Sequence, residues 1–500
     1  MRKVTKQDIL NNYVILKQKL KEDIKEERYQ KVFIDFDAAN WYAYNFNFFY
    51  RDDEMEGIIK ELSEKFLGHI QINGTENRIA LVVKTCLDNR GLQQQYFRAL
   101  QANGAEVLFV IIDDSKSAKE IVQEVSAYEK AQLLILGDSR KRNDILKAKQ
   151  LQKALVEFKP SMMLIHSMPG DAVTFMVCHS ITGVETYNIN LTDHAYWPGA
   201  SFIDYNIEFR NYGKTVSEDK RGLKSTQLLE LPYYPIGSKY TEFKGFVNVP
   251  SDKVKIFTGG SFYKMFGEDN AFFKLMDKIL AACPNAIILL AGNGDMKKMK
   301  ECLNGMANKN RVYYIGVRSD IDAVYDNIDI YLGTYPFPGG LMSQYACQHS
   351  RPILSMRNPK APENNIESLC NHQKNAVKSF SNDEELVNYA KRLVNDETFR
   401  LKEGQEAKKA MLTPEKFNSL FWHLLQTKEN QWNWPRLKID YANFSQFYLD
   451  EENNYGYPAL KGLINTLRFD FIKYFPQYLL PFLKFAVDRA GRKLSKTLHI

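Results

Sequence analysis

The sequence predicts an α/β chain of two Rossmann-like domains in tandem. Their parallel sheets face each other across a cleft, with helical extensions at both ends. Three observations predict this. From Arg78 onward, short apolar runs alternate with amphipathic segments of helical length. The alternation breaks between about residues 190 and 250, where Pro198, Pro232, Pro235, Pro250 and several glycines fall. It restarts at Lys255 and runs to about residue 355. Continuous apolar strands separated by helices indicate a parallel sheet covered on both faces. The expected divisions are an extension over 1–75, a first domain over 76–250, a second over 251–430 and a basic, aromatic segment over 431–500.

The elements follow in order. Ile9, Tyr13, Leu16, Leu20 and Ile24 recur at helical spacing, so the N-terminus predicts an amphipathic helix. The run "FIDFDAANWYAYNFNFF" (33–49) reads as an apolar strand with Asp35 and Asp37 on one face. Two carboxylates so placed could hold a hard cation, or could belong to a half-buried strand, which the sequence favours. The first domain offers strands at 79–83, 106–112, 132–136 and 162–166, with helices near 91–103, 116–129, 143–158 and 170–180. Residues 190–250 read as irregular structure and a linker. The second domain offers strands at 255–260, 286–292, 311–316, 329–333 and 352–355, and helices near 268–282, 295–307, 320–326 and 340–350. Helices near 383–395, 397–410 and 415–427 complete it.

Bulk properties narrow the function classes. A net charge of +7 over 500 residues favours anionic ligands or membrane surfaces and is too weak to argue for nucleic acid. The six cysteines form no C-x-x-C pair, which suits a reduced, cytoplasmic protein. No signal-type apolar core is seen, and no apolar run nears the ~20 residues a spanning helix needs.

In open parallel sheets, ligands bind beyond the carboxyl ends of the strands. The second domain's loops there are unusual. "TGGSFYKMF" carries Gly259, Gly260 and the cation Lys264. "AGNGD" carries Gly292, Gly294 and a capping residue, Asp295. "YPFPGG" leads to a helix beginning near Gly340, whose free N–H groups and dipole favour a phosphate. One such glycine is an ordinary turn, but the set together favours a nucleotide-diphosphate site. The sequence has neither GxxxxGK[ST] nor a GxGxxG after a first strand, which argues against a P-loop and a nicotinamide dehydrogenase.

Four stretches resemble the catalytic core shared by O-GlcNAc transferases and bacterial adhesin-type N-glycosyltransferases, which have the GT-B fold. They are "FTGGSFYKMF", "CPNAIILLAGNGD…RVYYIGVRSD", "GTYPFPGGLMSQYACQHSRP" and, most specifically, "TDHAYWPGASFIDY" (192–205). The resemblance spans roughly 78–400. It implies a glycosyltransferase using a UDP-linked sugar, with an acceptor domain first and a nucleotide-sugar domain second. It places phosphate contact on Lys264, backbone contact to the base on Val317 and Arg318, and diphosphate contact on Gly339, Gly340, Leu341, Met342 and Ser343, with Gly259 and Gly260 close by. Gly340, Leu341 and Met342 stand where the family offers hydroxyls or a histidine, and Ala323 where it stacks a residue on the base. The first-loop histidine is absent from "TCLDNRG", and so is the Glu-x7-Glu pattern of many retaining GT-B enzymes.

Glycosyl transfer needs leaving-group stabilisation and an oriented acceptor. Lys264 and the helix at Gly340 can supply the first without a metal or cofactor. For the second, Asp193 and His194 are the leading candidates, with Asp88 and His166 behind them. The last forty residues hold eight Lys and Arg against two Asp among large apolar groups. That mixture suits a segment lying on the inner face of a membrane, or a helix packed on the body. The expected partners are a nucleotide-sugar donor and a glycan, lipid-linked glycan or protein acceptor. A non-catalytic partner subunit of the same fold is the alternative.

Overall fold

The computed structural model describes residues 3–487 except 89–92, 114–117, 138–141, 167, 238–241, 362–365, 455–456, 481 and 484. The first strands are β1 (Ile70–Gln71), β2 (Thr75–Val83), β3 (Glu106–Ile111), β4 (Ala131–Ile135) and β5 (Pro160–Ile165). Next come β6 (Ile181–Thr182), β7 (Glu185–Ile189), β8 (Tyr205–Glu208) and β9 (Leu228–Glu230). The second domain holds β10 (Val254–Ser261), β11 (Ala286–Asn293), β12 (Val312–Tyr314), β13 (Ile330–Leu332) and β14 (Ile353–Leu354).

Among the described residues, one sheet runs β4-β3-β2-β5-β7-β8-β9 and the other β12-β11-β10-β13-β14, while β1 pairs with β6. All these pairings are parallel. The strands are buried runs, as in Ile79–Val83 and Ala286–Leu290. Chain order reverses between β2 and β5 in the first sheet and between β10 and β13 in the second. Each reversal opens a crevice at the carboxyl ends of its strands. Carboxylate caps start the following helices: Asp171 accepts from Thr174 N at 3.1 Å, and Asp295 from Lys298 N at 3.0 Å.

The domains are tied together. Phe257, Leu289 and Tyr331 of the second share one apolar core with Leu231 and Tyr234 of the first. The helix Pro414–Thr427 crosses back to the first domain, where Tyr96 packs edge-on against Phe417 and Phe421 at 5.4 and 5.0 Å. Tyr345 donates its hydroxyl to the Ile236 carbonyl at 2.6 Å.

Two expectations are corrected, and a third is narrowed. Residues 33–44 belong to a helix rather than a strand. The N-terminal extension folds as α1 (Lys6–Lys25), α2 (Tyr29–Tyr44) and α3 (Asp53–Phe66). The period-two pattern of "FIDFD" misleads because α2 is covered on several sides, by α1 and by the helix Pro458–Leu467. The stretch 190–250 is not all irregular, since it supplies β8 and β9, which extend the sheet beyond β7. Those strands bury Asn188, Asn206, Glu208 and Glu230, so their apolar signal is broken. Finally, the tail is partly body. Leu460, Leu463, Ile464, Leu467, Phe471 and Phe475 are buried in the core that holds Leu16 and Leu20 of α1. Fully burying one such side chain contributes about 1.5–3 kcal/mol.

Candidate functional site

The second domain's crevice is made by backbone. β10 and β11 lie so close at their ends that a side chain on Gly292 would stand 1.9 Å from the Gly260 carbonyl oxygen. Gly260 itself has φ +146°, and a Cβ there would meet open space. Gly259 is enclosed, its Cβ position 3.0 Å from Phe257. Lys264 follows on the 3-10 turn Phe262–Met265. Its side chain is half-buried, and burial lowers its pKa. No carboxylate or other acceptor among the described residues takes its ammonium.

The opposite wall of that crevice is the loop after β13. Thr334 donates its hydroxyl to the Phe337 carbonyl at 2.6 Å, and Phe337 N donates to the Lys264 carbonyl at 3.4 Å. These bonds tie the lysine turn to the start of the helix Gly340–Gln348. Gly339 caps that helix without a side chain. A Cβ at Gly339 would lie 3.2 Å from the Tyr331 hydroxyl, and one at Gly340 2.8 Å from Leu369. Ser343 turns its hydroxyl back to the Gly339 carbonyl at 3.1 Å, so it is buried and occupied. Leu341 and Met342 are half-buried. The first turn therefore offers N–H groups rather than side chains to an anion.

The third loop is locked by its arginine. Arg318 forks onto Asp320, with Nε at 2.8 Å, and donates to the Gly245 carbonyl at 2.7 Å. Its guanidinium lies near Phe243 and Phe246, 5.7 and 5.5 Å from their ring centres. The side chain is thus a strut between loop and linker, leaving only the backbone of Val317 and Arg318 for a ligand. Val317 is 63% exposed.

A neighbouring cluster was not foreseen. His349 sits between Asp322, at 3.1 Å, and Asp326, at 2.7 Å. Burial alone would lower its pKa, but hydrogen bonds to the two carboxylates outweigh it and raise the value. The stabilisation is therefore complete below the ordinary histidine pKa and fades as pH rises through the higher folded value. His349→Gln is expected to cost about 0.5–1 kcal/mol near pH 6 and almost nothing near pH 9. Urea unfolding at the two pH values checks this.

In the first domain, Asp193 and His194 follow β7. Asp193 is buried and accepts two hydrogen bonds from Arg210, at 2.5 and 2.9 Å. Burial would raise its pKa, but Arg210 and His194 hold the carboxyl well below the usual range. Asp193 is therefore a poor proton acceptor and a good orienting charge. His194 Nδ1 lies 3.5 Å from Asp193 Oδ1, with the imidazole partly exposed. Arg221, wholly buried, braces the loop by donating to the Asp193 and Ala195 carbonyls at 3.0 and 2.7 Å. Glu56 of α3 accepts from Gly199 N at 2.6 Å and Ala200 N at 3.2 Å, which shapes the Pro-Gly-x-Ser turn.

An aromatic row joins the two sides. His194 stacks near Tyr448 at 6.2 Å, Tyr448 meets Phe337 at 6.2 Å, and Phe337 meets Tyr263 at 5.9 Å. Tyr44 of α2 flanks His194 at 6.1 Å. His194 and the Lys264 turn are therefore linked through one aromatic row, to which both terminal extensions contribute. Tyr44 falls in the aromatic run 41–50, which the sequence offers as an acceptor-side wall or a small core, whereas Tyr448 gave no signal because it lies far from His194 along the chain.

The remaining candidates have other work. Asp88 caps the helix Lys119–Ala127, accepting from Glu120 N at 3.0 Å and Ile121 N at 3.1 Å. Each of its oxygens accepts one of these N–H groups. His166 is buried, and burial pushes it down to about 3, so it stays neutral. Asp35 and Asp37 stand two apart on a helix and point to different partners. Tyr474 donates to Asp35 at 2.8 Å, while Asp37 pairs with Arg142. A shared cation on that pair has no geometric support.

No protein-family model matches the chain, and no curated protein matches its sequence. Among solved structures, a variant of the Thermobaculum terrenum O-GlcNAc transferase superposes with a TM-score of 0.50. The match covers 89% of this chain and 84% of that one at 14% identity. Anabaena HepE, solved with UDP and glucose, matches 70% of this chain and 99% of its own at TM-score 0.48 and 13% identity. An S. aureus TarM variant solved with UDP matches 70% and 100% at 0.47 and 9%. With the first of these likenesses added to the two facing parallel sheets, the fold is GT-B.

Proposed function

We propose that the chain is a glycosyltransferase that uses a nucleotide-diphosphate sugar, UDP-linked, and works by single displacement without a metal. The observation that carries this reading is Lys264. It is a half-buried cation with no counter-charge among the described residues, set at the β10/β13 switch point beside a helix start with no side-chain cap. The diphosphate would accept from the N–H groups of Gly340, Leu341 and Met342 and pair with Lys264. Across the cleft, His194, oriented by Asp193, would take the proton of the acceptor hydroxyl or amide. The acceptor atom bonds to the anomeric carbon as the bond to the diphosphate oxygen breaks. The leaving diphosphate keeps the electron pair, and the configuration inverts. The acceptor would be a glycan in bacterial surface polysaccharide or glycoconjugate synthesis, at the cytoplasmic face; a protein acceptor suits the resemblance.

A second reading keeps the fold without the chemistry, as a partner subunit. It is favoured by one observation: apolar Leu341 and Met342 where hydroxyls are the family habit. Melting temperature separates the two. UDP at a hundred times its Kd is expected to add about 2.7 kcal/mol of stability. A rise with UDP, and with no other base, supports the donor site. No response to any nucleoside diphosphate sinks it.

A further inference from the structure

The chain ends its described course with apolar residues on two sides. Tyr478, Phe482 and Phe485 pack on the core formed with α1 and α2. The other side looks outward: Phe469 is 78% exposed, Leu480 78%, Leu483 49% and Val487 70%. Leu480, Leu483 and Val487 recur at helical spacing. Phe469 joins them through Phe482, ring to ring at 6.4 Å. Isolated exposed apolar side chains are normal on a soluble surface, whereas a cluster marks an interaction face.

Charge identifies what the face meets. Lys461, Arg468 and Lys473 are exposed on the same short stretch. The acidic Asp470 is offset by Lys473 at 3.1 Å and Lys31 at 3.6 Å. No helix among the described residues is long and apolar enough to cross a membrane. We propose that this face docks on an anionic phospholipid surface, with Phe469, Leu480, Leu483 and Val487 entering the head-group layer and Lys461, Arg468 and Lys473 meeting the phosphates. A second copy of the chain is the poorer occupant, because two such faces would set like charges together. The proposal stands independently of the donor-site reading.

The test is co-sedimentation of the full chain with vesicles. Binding is expected to be about tenfold or more tighter to phosphatidylcholine containing about 30% phosphatidylglycerol than to phosphatidylcholine alone, and to weaken in about 0.5 M salt. The double variant Leu480→Asp, Leu483→Asp is expected to lose at least about tenfold of that affinity at an unchanged melting temperature, since both sites are exposed. Val247→Asp, at a residue 79% exposed on the linker, is the control and should bind as wild type. Three results overturn the proposal: no preference for anionic vesicles, binding that survives the double variant, or a wild-type dimer that the double variant separates.

Discussion

Lys264→Ala is expected to lower kcat/KM for glycosyl transfer by about 10²–10³-fold, the usual effect of removing one preorganised group at a developing anion. The same change is expected not to destabilise the nucleotide-free protein. Burial lowers the Lys264 pKa, so the fold disfavours its charged form. The sign follows from linkage: that destabilisation is present in full below the folded pKa and relieved only as pH passes the unfolded one. At neutral pH, removing the charge removes the penalty. Lys264→Met separates charge from packing, because it keeps most of the apolar stem. Both variants should melt at or above wild type without nucleotide, and neither should gain from UDP. A Lys264→Ala protein that keeps its UDP-induced rise in melting temperature would show that the anion sits elsewhere.

The same lysine shows what a sequence carries and what it does not. Gly259, Gly260, Lys264 and Gly339 were legible because each lies at the carboxyl end of a continuous apolar strand or in the loop beyond it, where an open parallel sheet exposes its ligands. The acceptor side is different. Asp193 and His194 were found through a short local signature, but what fixes them is not local. Arg210 lies beyond the next strand, and Arg221 beyond the helix that follows it. Glu56, which forms the Pro-Gly turn, comes from the N-terminal extension, and Tyr448 comes from near the other end. The sheet strands β7 to β9 escaped notice for a related reason. Their buried Asn188, Asn206 and Glu208 bond one another and Ser217, as between Asn188 and Asn206 at 2.7 Å. A polar network of this kind looks like a loop until its partners are placed beside it. Helix α2 misled in the opposite sense. Its Asp35 and Asp37 resembled a metal pair only while the run was taken as a strand.

Asp193→Asn is expected to destabilise the protein by about 3–5 kcal/mol, because it leaves Arg210 buried beside a neutral amide. Arg210 is 4% exposed, so water cannot replace the lost carboxylate. Arg210→Met should cost a similar amount by stranding Asp193. The double variant should cost less than the sum of the two, since neither charge is then left alone. Urea unfolding of the four proteins gives the coupling directly, and strictly additive costs would show that the pair is not one unit. The acid limb adds a second check. The folded pKa of Asp193 is depressed, so its contribution is present above the ordinary aspartate value of about 3.9 and is lost as pH falls below it. Asp193→Asn should therefore flatten the stability profile between about pH 4 and pH 2. The catalytic consequence runs through His194. Without the carboxylate 3.5 Å from Nδ1, the ring loses the charge that orients it. Expected kinetics are a fall in kcat at little-changed donor KM. A loss of activity that merely tracks the fraction folded would leave Asp193 a purely structural residue.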